Sequence, residues 1–119
     1  MDKKVPEEFI EVLLFNQTYT FEYIDNEKKK QKFNVVLIDA NHCPGSAMVL
    51  LSGVFGTVLA TGDFRYIKDM FSKYSPLSNL QVDVCHLDNF NNNPLYSTLP
   101  SRIKATKIIF DLIERFYSN

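Results

Sequence analysis

Cysteine is scarce in this chain: Cys43 and Cys85 are the only two among 119 residues. A pair so far apart offers neither a disulfide framework nor a CxxC metal or redox motif. Both read as buried or half-buried free thiols, and Cys43 lacks the partner spacing that would make it a zinc ligand beside His42. Tryptophan is absent, and histidine is limited to His42 and His86. No apolar run approaches the roughly 20 residues of a membrane-spanning helix. The opening Met1-Asp2-Lys3-Lys4-Val5-Pro6 has no apolar stretch of the signal-peptide kind, so an intracellular protein is expected. Charge of one sign is lacking as well. Thirteen basic and 14 acidic residues leave a formal net charge of −1, which excludes a whole-domain pull on nucleic acid. Contact with nucleic acid then needs a local basic patch.

What is present is a folded domain. Hydrophobic residues make up 45% of the chain and aromatics 13%, enough apolar mass to bury a core. Phe9 to Phe15 is a short apolar run whose periodicity fits a strand or a helical turn. Thr18 to Ile24 and Phe33 to Ile38 read as two strands of a hairpin, joined by Asp25-Asn26 and a solvated run rich in lysine (Lys28, Lys29, Lys30, Lys32). No aromatic platform is interleaved with those charges, which favours a solvated loop over a nucleic-acid contact.

The four glycines all fall between positions 45 and 62. Ala47 to Leu51 and Thr57 to Thr61 alternate with them and form a second antiparallel hairpin about Ser52-Gly53-Val54-Phe55-Gly56. The residues before the first strand and after the second of such a hairpin share its open end. His42 and Asp63 are therefore expected to converge, with Pro44-Gly45 turning the chain back between them. Lys68 to Leu80 reads as a loop with a helical turn, Val82 to Leu87 as a buried strand ending at Asp88, and Asn89 to Leu99 as a loop. His86 is expected to pack within that strand or to meet a backbone carbonyl. Ser101 is the expected N-cap of an amphipathic helix, which carries apolar residues from Ile103 to Phe116 and packs on the sheet.

His42, Asp63 and Asp88 each lie just past an apolar run, on loops that a rigid sheet would hold. Imidazole and carboxylate are the donors of a hydrolytic metal centre, and Asp63 on its Gly-Asp turn can bridge two ions. Asp88 can bind metal, or orient a water or a ligating histidine. Arg65 and Arg102 match phosphate geometry, with a surface ion pair the competing role for Arg65. By type and spacing alone this pattern is unspecific.

The residues themselves say more. Leu37-Ile38-Asp39-Ala40-Asn41-His42-Cys43-Pro44-Gly45-Ser46, Phe55-Gly56-Thr57-Val58-Leu59, Thr61-Gly62-Asp63-Phe64-Arg65-Tyr66, Leu87-Asp88-Asn89, and Asn93-Pro94 with Pro100-Ser101-Arg102 occur in order. Together they resemble the Apollo/Artemis family of DNA cross-link-repair nucleases, from about residue 33 onward. The resemblance implies an α/β (α+β) fold, part of a metallo-β-lactamase αββα sandwich with mostly antiparallel strands. Residues 1–88 would be a partial metallo-β-lactamase-like domain and 89–119 the start of a β-CASP region. It implies zinc, one or two ions in a complete site, and metal-dependent phosphodiester hydrolysis as a 5′-to-3′ exonuclease on 5′-phosphorylated DNA ends. It also implies a nuclear role in interstrand cross-link repair or telomere end processing, with telomere or repair proteins as partners.

By position, His42 matches the family's metal-binding histidine and Asp63 its metal-bridging aspartate, also catalytic. Asp88 matches the acidic residue that opens the β-CASP region, and with Asp63 it is a catalytic candidate. Ser101 and Arg102 fall in the phosphate-handling PSR motif, and Arg65 follows the TGD turn. The departures are concrete. The family's HxHxDH motif is absent, Phe90 stands where threonine is usual, and Ile103-Lys104 replaces an acidic run. The expectation is an internal segment of the nuclease fold, inactive alone and prone to associate through open sheet edges. Two other readings are a non-catalytic, degenerate module that binds DNA or protein, and an RNA-processing β-CASP nuclease of the messenger-RNA 3′-end type.

Overall fold

The computed structural model describes residues 5–72, 75–90 and 92–118. Of the opening segment read for targeting, residues 1–4 lie outside the described residues. One five-stranded sheet dominates: β1 (Thr18–Ile24), β2 (Lys30–Asp39), β3 (Ala47–Gly53), β4 (Gly56–Gly62) and β5 (Val84–Leu87), in that spatial order. The first three pairings are antiparallel, and β5 lies parallel to β4. A 16-residue helix, α1 (Arg102–Tyr117), follows. The fold is thus α+β with a mostly antiparallel sheet, consistent with a metallo-β-lactamase segment. Among the described residues there is one sheet, a single layer of such a sandwich.

Both hairpins form where turn chemistry places them. In the first, Asp25 organises the connection: its carboxylate accepts from the Glu27 and Lys29 backbone N–H groups at 2.9 and 2.8 Å. β2 begins at Lys30, earlier than expected, because Lys30 and Lys32 pair with Glu22 across the strands. The lysine run is therefore partly strand, not wholly loop. In the second hairpin, Gly53 pairs with Gly56 across a two-residue turn.

The core forms on one face of the sheet. Ile38 stands opposite Met48, Val36 opposite Leu50, and Leu50 opposite Leu59. Met70 and Leu77, from the segment between β4 and β5, cover these residues, with Phe64, Leu80 and Val82 packed alongside. Each such buried aliphatic side chain stabilises the fold by about 1.5–3 kcal/mol. The opposite face carries Tyr19, Val35, Leu51 and Val58 in register. Phe33 continues it, with its ring 5.6 Å from Phe21 and 5.8 Å from Tyr23.

Several expectations are corrected. The run Phe9 to Phe15 is neither a regular strand nor a helix: a 3-10 turn at Glu7–Phe9 leads into extended chain, and Phe15 bridges Leu37. Strand β5 is exposed along its whole length rather than buried, because it lies at the sheet edge. His86 is consequently exposed rather than packed. Both cysteines are free, as expected, but exposed: Cys85 on that edge strand and Cys43 on a loop. The segment after β4 holds a 3-10 turn at Lys68–Phe71, and the loop after Asp88 contains another, Pro94–Thr98, capped by the Asn93 side chain.

The chain divides into two compact units, one ending at Asp88 and the other beginning at Asn89. In the second unit Ser101 caps α1 as expected, its hydroxyl accepting from the Lys104 N–H at 3.3 Å. None of the helix residues is buried, and its packing on the sheet remains an expectation of the sequence.

Candidate functional site

The strand directions bring three loops to one end of the sheet. β2 ends at Asp39 opposite the start of β3 at Ala47, and β4 ends at Gly62, in register with Leu87 of the parallel β5. The segment 40–46, Asp63 and Asp88 therefore all follow or flank strand ends on the same edge. Loops held at the end of a rigid sheet are a usual place for binding and catalytic groups.

The expected convergence of His42 and Asp63 is present. His42 Nε2 lies 3.9 Å from Asp63 Oδ2, although 21 positions separate the residues in sequence. Both side chains are open to solvent, at 49% and 78% relative exposure. An ion pair so exposed adds little stability, so the pairing is not explained by a need to hold the fold. Asp88 joins them through Thr61. Its backbone N–H donates to the Thr61 hydroxyl at 2.9 Å, and Thr61 is 2% exposed, just before the Gly62-Asp63 turn.

The segment 40–46 is shaped by its own hydrogen bonds. Ser46 N–H donates to the Cys43 carbonyl at 3.0 Å, and Cys43 N–H donates to the Ser46 hydroxyl at 3.1 Å. Gly45 takes φ +84°, a left-handed conformation that glycine adopts without strain. Sequence reasoning missed a set of contacts around Asn41. Its side-chain amide donates to the Arg65 carbonyl at 3.1 Å, and Arg65 N–H donates to the Ala40 carbonyl at 2.9 Å. The one local signal was Asp39 two residues before Asn41, an Asx-turn spacing.

Arg65 follows Asp63 by two residues and is exposed, while Ser101 and Arg102 belong to the second unit. There Ser101 spends its hydroxyl on the helix cap, and Arg102 is the first helical residue.

Zinc binds histidine nitrogen and carboxylate oxygen at about 2.0–2.2 Å, so two donors within about 4 Å can share one ion. His42 and Asp63 meet that condition at 3.9 Å. A catalytic zinc, however, takes three protein ligands. Among the described residues, no three of histidine, cysteine, aspartate and glutamate are grouped to hold a metal. Among the described residues, the donors brought together at this edge are therefore the pair His42 and Asp63.

No family model matches the chain. It is 47% identical over 91 residues to the 5' exonuclease Apollo of Mus musculus, across 76% of this chain and 17% of that protein. The Gallus gallus 5' exonuclease Apollo is 41% identical over 112 residues, 94% of this chain and 22% of that protein. Protein artemis of Rattus norvegicus is 35% identical over 89 residues, 71% of this chain and 13% of that protein. The chain spans less than a quarter of the length of these curated relatives. Over the segment that it shares with them, the chain resembles the Apollo/Artemis family, represented by these 5' exonuclease Apollo and artemis proteins.

Proposed function

We propose that this chain is the segment of a metal-dependent DNA nuclease that contributes His42 and Asp63 to the metal centre. The observation that carries the reading is their approach to 3.9 Å at the sheet edge, inside the region shared with the 5' exonucleases. In such a centre the metal supplies water activation and neutralises charge on the phosphodiester. Asp88, fixed to the same edge through Thr61, is the further acidic group. Arg65, Ser101 and Arg102 are the phosphate-binding candidates. The reaction is 5′-to-3′ hydrolysis of 5′-phosphorylated DNA, in cross-link repair or telomere end processing in the nucleus, with telomere or repair proteins as partners. The missing donors must come from outside the described half-site, so the chain alone is inactive.

A chimera tests this. The 91 residues of the mouse protein that match this chain would be replaced by their counterparts here. Retained metal-dependent 5′ exonuclease activity, lost on His42→Ala or Asp63→Asn, is the expected result. A folded chimera with activity insensitive to both substitutions contradicts the proposal. The half-site also supports a second reading, a non-catalytic module, which predicts a folded chimera without activity.

A further inference from the structure

We propose that Asn41 is a positioning residue, an amide clamp that locks the His42 loop to the Asp63 loop. The contacts tie the two loops together. Asp39 Oδ1 accepts from the Asn41 N–H at 2.7 Å, fixing the turn as the chain leaves β2. Asn41 Nδ2 then crosses to the Arg65 carbonyl at 3.1 Å, while Arg65 N–H returns to the Ala40 carbonyl at 2.9 Å. Two antiparallel hydrogen bonds thus join residues 40–41 to residue 65. Ala40 is fully buried, so one end of the clamp is anchored in the core. His42 is the next residue after Asn41, and Asp63 lies two before Arg65.

The backbone identifies Asn41 as the keystone of the arrangement. It adopts φ +51°, in the left-handed region, where asparagine is among the few side chains tolerated. Glycine would meet the backbone demand equally well but would carry no amide. Asparagine satisfies both the left-handed backbone and the crossing hydrogen bond. The clamp runs from Ala40 and Asn41 to the Arg65 backbone, and so fixes the separation of the two loops. The consequence for metal rests on reading His42 and Asp63 as a donor pair, whereas the clamp itself does not.

Two variants separate the amide from the backbone. Asn41→Gly keeps the left-handed turn and removes the side chain. Asn41→Asp keeps size and turn but offers the Arg65 carbonyl no donor. Two readouts are taken on the full chain: amide hydrogen exchange at Arg65, and zinc titration followed by the His42 ring signals in NMR. The clamp predicts that both variants lose about tenfold or more in Arg65 protection and in apparent zinc affinity, within the 10–100-fold range for groups that orient metal ligands. Protection elsewhere in β2–β4 should be unchanged. Unaltered Arg65 protection in either folded variant overturns the clamp, and if one variant fails to fold the other decides. Lost Arg65 protection with a wild-type His42 that ignores zinc supports the clamp and overturns the metal reading alone.

Discussion

Asp83 shows how single side chains hold the site's scaffold. Its carboxylate accepts from the Thr57 N–H at 2.7 Å, and its own N–H donates to the Thr57 carbonyl at 2.9 Å. The approach is possible because Gly56 beside it has no Cβ. At φ +92° an added Cβ would lie 2.6 Å from Asp83 Oδ2. Gly56→Ala is therefore expected to destabilise the fold by about 1–3 kcal/mol, read as a lower urea midpoint. An unchanged midpoint would refute the steric account. Asp25 offers a pH-dependent counterpart. The Gln31 amide, then the Lys29 and Glu27 N–H groups, hold its carboxyl below the ordinary value of 3.8. A carboxylate depressed in the native state stabilises it fully above 3.8, and that contribution is lost as pH falls through the lower native value. Denaturation midpoints of wild type and Asp25→Asn should converge as pH drops through this range. A constant difference would contradict it.

Elements were legible in the sequence to the extent that their residues carried local rules. Thr18–Ile24 alternates and is a strand over those residues, and Ser101 with the apolar repeat after it marks α1. Strand β5 was misread as buried because its composition, Val-Cys-His-Leu, does not reveal that it lies at an edge. Edge or centre depends on sheet order, which no local pattern encodes. Nor did the sequence reveal that β5 runs parallel to β4, the feature that brings Asp88 to the site's edge. At the site itself, the hairpin rule sufficed to predict that His42 and Asp63 converge. The Asn41 clamp was hidden because its partners are backbone groups 24 residues away. Two predictions belong to this scale. Met48, 2% exposed at the centre of the core, should cost about 2–5 kcal/mol on truncation to alanine in a denaturant melt. Ser101→Ala should weaken α1 by about 0.5–2 kcal/mol, seen as lost helical circular dichroism. Full helicity in that variant would show that the cap is dispensable.

For the whole molecule, the balance of covered and open surface matters most. One face of the sheet is covered by the segment between β4 and β5, while Ile103, Ile109, Phe110, Leu112 and Phe116 of the helix are each more than half exposed. Apolar surface of this extent, together with the exposed edge strand β5, favours association between copies. Light scattering across a dilution series should show mass rising with concentration, and a monomer at all concentrations would contradict this. The central claim, that His42 and Asp63 form half of a metal centre, is tested most directly by zinc titration of the chain. The readout is the His42 ring signals, with Asp63→Asn as the comparison. The account predicts that wild-type His42 responds to zinc with low affinity and that the response is lost in Asp63→Asn. A His42 that ignores zinc, or that binds it equally well without the Asp63 carboxylate, would contradict it.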